Sequence, residues 1–96
     1  MNMEIYWEYL NGKRISKGNE FKEGFVSQYN TNHQLIFEGE YLNGKRNGKG
    51  KEYNDNGTLL FEGEYLNGKR HGKGKEYDYN GNLKYEGEYF LDQKIK

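Results

Sequence analysis

Aromatic residues and glycines alternate with charged residues along most of this chain, and the pattern restarts every 24 positions. Phe37-Glu38-Gly39-Glu40-Tyr41 sets the theme, and Phe61-Glu62-Gly63-Glu64-Tyr65 and Tyr85-Glu86-Gly87-Glu88-Tyr89 repeat it. A period of two is that of a strand with two unlike faces. No segment carries an apolar 3.6-residue period, so the pattern predicts essentially no helix. Asn-Gly pairs punctuate the strands at Asn11-Gly12, Asn43-Gly44 and Asn67-Gly68, with a second set at Asn56-Gly57 and Asn80-Gly81. Asn-Gly suits a type I′ hairpin turn, which needs positive φ at both central residues. Two turns per 24 residues predict two strands per unit and an all-β, single-layer antiparallel meander of stacked hairpins, elongated in shape.

The copies are nearly identical. Phe37 to Tyr53 returns as Phe61 to Tyr77 with His71 for Asn47 as the only change, and a third copy begins at Tyr85. Fixed periodicity of this length marks a repeat architecture, whose stacked surface suits binding better than chemistry at a unique point. The divisions read as a degenerate first repeat at 5–36, repeats at 37–60 and 61–84, and a partial repeat at 85–96, all in one domain. Glu8 to Arg14 matches Glu40 to Arg46, and Tyr29 to Ile36 matches Tyr53 to Leu60. Residues 21–28 stand as an insert, either a bulged hairpin or the relic of a lost repeat.

Tight turns fix an expected register. A turn at Asn43-Gly44 pairs Leu42 with Lys45, Tyr41 with Arg46, Gly39 with Gly48, Glu38 with Lys49 and Phe37 with Gly50. A two-residue turn at Asn56-Gly57 pairs Tyr53 with Leu60, Lys51 with Glu62, Gly50 with Gly63 and Lys49 with Glu64. One face then carries rings lying over glycines of neighbouring strands. The other carries a Glu–Lys ladder: Glu38–Lys49–Glu64, then Glu62–Lys73–Glu88. Glu52 fits poorly, falling on the ring face opposite Phe61, and a bulge near Tyr53 is expected there.

The unit Phe/Tyr-Glu-Gly-Glu-Tyr-x-Asn-Gly-Lys-Arg-x-Gly-x-Gly resembles the MORN repeat (membrane occupation and recognition nexus). The likeness runs from Phe37 to Tyr89, through Tyr85, Gly87 and Tyr89, through Asn67-Gly68-Lys69, and through His71-Gly72-x-Gly74. The 24-residue period and the second Asn-Gly turn are similar to the bacterial variant form of the repeat, some of whose proteins are labelled antitoxins. The resemblance implies stacked hairpins used as scaffolds or protein-binding modules, and in some members an association with lipid.

Composition narrows the functions. Hydrophobic residues make up 32% of the 96, and 17% of the chain is aromatic, so rings must supply the core. Fifteen basic residues balance fifteen acidic ones, which argues against a nucleic-acid binder. There is no cysteine, which removes disulfides and thiolate metal sites and fits a reducing compartment. Met1 to Tyr6 lacks the basic and apolar regions of a signal peptide, and no apolar run approaches the ~18 residues of a membrane span. The expected location is the cytoplasm, with peripheral attachment to a membrane as a variant.

Motifs for chemistry are weak. Asn56-Gly57-Thr58 fits a glycosylation sequon but sits in a turn. Gly44 to Lys49 is one residue short of a phosphate loop, lacks the Ser or Thr, and opens no helix. Asn54 to Gly57 and Asp78 to Gly81 lack the bidentate Glu of a calcium loop. His33 and His71 stand alone, no nucleophile–base set exists, and the glutamates face lysines. The expectation is therefore a non-enzyme with no catalytic residues, cofactor or metal. Two surfaces are candidates for binding. Phe37, Tyr41, Phe61, Tyr65, Tyr85 and Tyr89 would line an aromatic groove for a protein partner or a second copy in a homodimer, unless the sheet twists and the rings bury one another. Lys45, Arg46, Lys69 and Arg70 would form a basic row of hairpin tips for anionic lipid. An antitoxin-like inhibitor of a partner protein is the third reading.

Overall fold

The computed structural model describes the backbone at residues 5–10, 13–15 and 23–95, and side chains over 24–95. Among these residues there is no helix, and nine strands form one antiparallel sheet. They are β1 (Ile5–Leu10), β2 (Lys13–Ile15), β3 (Glu23–Asn30), β4 (Leu35–Leu42), β5 (Lys45–Tyr53), β6 (Leu59–Leu66), β7 (Lys69–Tyr77), β8 (Leu83–Phe90) and β9 (Gln93–Ile95). From β3 to β9 the sheet is a simple meander, while β1 pairs with β3 and carries β2 on its outer side. Residues 23–28 of the expected insert belong to β3, whose register runs Glu23 opposite Leu42 to Gln28 opposite Phe37. Residues 21 and 22 lie outside the described residues.

Asn43-Gly44 and Asn67-Gly68 have positive φ at both positions (54° and 80°, 50° and 90°), as a type I′ turn requires. The second turn is not the two-residue loop that Asn56-Gly57 suggests. Asn54 pairs with Thr58 through Asn54 N–H donating to Thr58 O at 3.0 Å, and Gly57 N–H closes the turn on Asn54 O at 3.0 Å. Three residues form the tip, a type I turn followed by a left-handed Gly57. Asn54 Oδ1 holds it by accepting from the backbone N–H groups of Asn56 and Thr58 at 2.9 and 3.0 Å. Asn30 and Asp78 do the same in the neighbouring units. This Asx chemistry, rather than the Asn-Gly pair, sets the loop length.

The expected β4–β5 register holds at Leu42–Lys45 and Tyr41–Arg46 and then fails. Gly39 pairs with Gly50, Glu38 with Lys51 and Phe37 with Glu52. Asn47-Gly48-Lys49 bulge opposite Glu40, and Gly48 adopts φ 102°. The Glu40 carboxylate fills the bulge and accepts the Lys49 N–H at 3.2 Å. A Cβ on Gly48 would collide with that oxygen. Gly72, Glu64 and Lys73 repeat the device in β6–β7. The β5–β6 register agrees with expectation at Lys49–Glu64, Gly50–Gly63 and Lys51–Glu62, with a shift before Tyr53, which faces Leu59 rather than Leu60. The ladder on the charged face is thereby redrawn as Glu38–Lys51–Glu62–Lys75–Glu86, with Lys49–Glu64 and Lys73–Glu88 beside it.

Nine strands spaced ~4.8 Å would lie flat as a slab about 38 Å wide and one layer thick. The molecule measures 39 × 28 × 25 Å, so the sheet is strongly coiled, and coiling lets a single layer hold a core.

Candidate functional site

The six rings expected to line a groove form one continuous edge-to-face chain instead. Tyr41, Phe37, Tyr65, Phe61, Tyr89 and Tyr85 follow one another at centroid distances of 6.1, 5.5, 5.6, 5.2 and 5.5 Å. Phe37 and Phe61 have no exposed surface, and Tyr65 and Tyr89 keep 4% and 2%. Glycine makes this packing fit. A Cβ on Gly50 would lie 2.7 Å from the Phe37 ring, and one on Gly74 would lie 2.6 Å from Phe61. Edge-to-face pairs add ~0.5–1.5 kcal/mol each beyond area burial, so the chain ties successive repeats together.

Charged residues then close the ring face. Arg46 and Arg70 lay their guanidinium groups 4.0 Å from the ring centroids of Phe37 and Phe61. Glu52, the acid that seemed misplaced, is on this face as expected, opposite Phe61, and has a use there. It accepts the Tyr65 hydroxyl and binds Arg70 through Nε at 3.2 Å and Nη2 at 3.1 Å. Gln28 and Glu76 occupy the equivalent places 24 residues away. Gln28 accepts from Arg46 at 3.3 Å, while Glu76 accepts from Tyr89 at 3.2 Å and from Lys94 at 2.9 Å. Lys94 takes the Arg role over Tyr85, 5.2 Å from its centroid. The 24-residue spacing of Gln28, Glu52 and Glu76 was the available signal for this clamp.

Titration follows from the clamp. Burial, and then the Glu52 carboxylate, push the Tyr65 phenol far above its ordinary value. Tyr89 is pushed up to about 12 by burial and by Glu76. Burial alone would lower Arg70, but its bonds to Glu52 and that carboxylate's charge together hold the guanidinium above its usual value. Lys94, by its hydrogen bond and then its charge, holds the Glu76 carboxyl below the usual range.

The basic row at the hairpin tips is therefore halved. Lys45 and Lys69 are exposed, whereas Arg46 and Arg70 turn back onto the rings. The tips are instead joined to one another: Gly68 N–H donates to Arg46 O and Asp92 N–H to Arg70 O, each at 2.8 Å. Asn47 Oδ1 accepts the Asn67 N–H at 3.1 Å, and His71 Nδ1 accepts the Leu91 N–H at 3.3 Å. The one substitution between the two full copies thus conserves an acceptor. His33 lies in a turn at φ 66°, and no group of three or more metal-ligating side chains occurs among the described residues.

The opposite face is open. A trough of about 700 Å³ crosses β5 to β8, floored by Gly50, Gly63, Gly74 and Gly87. Each glycine is flanked by two like charges on its own strand: Lys49 and Lys51, Glu62 and Glu64, Lys73 and Lys75, Glu86 and Glu88. The trough walls are thus bands of alternating sign, one band per strand. All four lysines are exposed, and none forms an ion pair among the described residues. On the same face Tyr53 and Tyr77 donate to Glu38 and Glu62, each at 2.6 Å.

The family model for the MORN repeat matches residues 37–59 and 61–83. The two matched stretches stand in tandem, one in each full 24-residue period. Repeats of this family serve generally as protein- or lipid-binding modules and are typically not enzymes. No curated protein and no solved structure matches the chain. Among the described residues, no helix is long and apolar enough to cross a membrane. Within the MORN repeats the glycines divide by use. Gly48 and Gly72 open the bulges, while Gly50 and Gly74 admit the rings and floor the trough.

Proposed function

We propose that this MORN-repeat protein is a non-enzymatic protein-binding module whose contact surface is the charge-banded trough, and that the rings serve as its core. The observation carrying this reading is the contrast between the two faces. Arg70 and Glu52 cover the rings and pair with each other, and Arg46 lies over Phe37 and bonds Gln28. On the trough face, Lys49, Lys51, Lys73 and Lys75 keep their charges for a partner. The lipid reading is weaker: of Lys45, Arg46, Lys69 and Arg70, only the two lysines remain at the tips. At ~1 kcal/mol per basic residue near an anionic surface, two lysines give little hold on a membrane.

The test is site-specific photo-crosslinking, with the reactive group placed at Lys51 in the trough or at Tyr79, which is 73% exposed and outside it. Protein adducts from Lys51 that are absent from Tyr79 are the expected result. Equal labelling from both sites, or lipid adducts alone, would overturn the reading.

A further inference from the structure

The charge bands obey a symmetry that names a partner. From β5 to β8 their signs run plus, minus, plus, minus, and the four lysines equal the four glutamates. Consider a second copy laid face to face, with a two-fold axis along the strands and midway between β6 and β7. That rotation sets β6 over the partner's β7 and β5 over the partner's β8. Every lysine band then meets a glutamate band. Position along the strands is preserved by the rotation, so residues that are cross-strand partners within one copy also face each other between copies. Glu62 and Lys75 are such a pair, and β4 and β9 then meet without like charges opposed. A two-fold axis in the same plane but across the strands would set each band over itself and repel.

We infer that the trough face of this protein docks a second copy of the same chain through this strand-parallel two-fold axis. The inference rests on the trough being the contact surface. Period is what favours a second copy over a foreign peptide. Bands recur at the strand spacing of ~4.8 Å, whereas same-face side chains of an extended peptide recur at about 6.8 Å and lose step within three bands. A second copy carries the same spacing by construction, and aligned face-to-face packing is an ordinary arrangement for twisted sheets. An isologous contact of this kind closes on itself as a dimer. The banded face, four strands wide and three residues long on each, offers about 19 Å by 10 Å, roughly 200 Å² per copy, well below the ~800 Å² per partner of a standard interface. The dimer is therefore expected to be weak, concentration-dependent and salt-sensitive.

Sedimentation velocity on the full chain, at low and high salt and rising concentration, is the measurement. Two charge-reversed variants sharpen it: Lys49→Glu with Lys51→Glu, and Glu86→Lys with Glu88→Lys. None of these four side chains makes a hydrogen bond or ion pair among the described residues. Wild type should dimerise at low salt and dissociate at high salt. Each variant alone should be monomeric, because β5 and the partner's β8 then carry the same sign. An equimolar mixture of the two should dimerise again. A wild type that stays monomeric at low salt, or a mixture that does not recover, overturns the inference. If circular dichroism shows a reversed variant unfolded, Lys49→Gln with Lys51→Gln takes its place, and its dimer must weaken by tenfold or more. Failure here with Lys51 still crosslinking to other proteins would leave the binding reading standing; failure of both would remove it.

Discussion

At the scale of single residues, the repeats act as internal controls for one another. Asn30 Nδ2 donates to Gln34 Oε1 at 2.9 Å, four residues on. Asn54 is its equivalent, but Thr58 stands where Gln34 would be, and Asn54 Nδ2 is buried without an acceptor. Thr58→Gln should supply the missing oxygen and stabilise the protein by about 1 kcal/mol. An unchanged or lowered midpoint in urea would sink that account. The third type I′ turn is built from Leu91-Asp92, at φ 48° and 75°, instead of Asn-Gly. Leucine is strained in the left-handed region, where asparagine is tolerated. Leu91→Asn should therefore raise stability by ~0.5–1 kcal/mol, read as a higher melting temperature. Asp92 is best left in place, since its Oδ1 accepts the Arg70 N–H at 2.8 Å.

At the scale of the hairpin, packing hangs on glycines that no ring-bearing neighbour could spare. A Cβ on Gly74 would lie 2.6–2.7 Å from the Phe61 ring. Gly74→Ala should cost about 3 kcal/mol, in the range for overpacking a well-filled core. Phe61→Leu removes the ring that the new methyl strikes, so the double variant should lose less than the sum of the two singles. Additive losses in a double-mutant cycle would show that the clash is not what fixes this position. The same elements show why the sequence was legible to a certain depth. Period-two alternation and Asn-Gly at 43–44 and 67–68 report the strands and the first turn directly, because each is a local signal. The bulge is not local. In Asn47-Gly48-Lys49-Gly50 the two glycines look alike; only the partner strand, through Glu40, makes Gly48 a bulge and leaves Gly50 to clear a ring. Missing that step shifts every later pair in β4–β5 by two, which keeps each residue on its own face. The faces were therefore readable although the register was not. By pattern alone Glu52 is an acid misplaced among rings, since its two partners come from β6 and β7.

At the scale of the whole molecule, coiling decides which face is core and which is surface, and coiling is not written in any one repeat. It turns an aromatic stripe that would form a groove on a flat sheet into a chain running from Tyr41 to Tyr85 whose four inner rings are buried and whose two end rings are half-buried. That chain, together with the Tyr53 and Tyr77 hydroxyls bonded to Glu38 and Glu62, makes the protein sensitive to base. Tyr53, Tyr77 and Tyr89 are pushed up to about 12, and Tyr65 further. In the unfolded chain each would ionise near its ordinary value of ~10. Below that value both states hold the protons, and the stabilising effect of the raised values is fully present. Above it the unfolded state releases protons that the folded state keeps, so stability falls with every step in pH until the sheet gives way. Because Tyr65 and Tyr89 each contact rings of two repeats, ionising them should unfold adjacent repeats together rather than fray one end. An alkaline titration followed in parallel by tyrosinate absorbance and far-ultraviolet circular dichroism checks this. The absorbance that belongs to Tyr65 and Tyr89 should rise in step with unfolding. Complete ionisation near pH ~10 with the sheet intact would mean that the ring chain is open to solvent, and the aromatic face would return as the candidate contact surface.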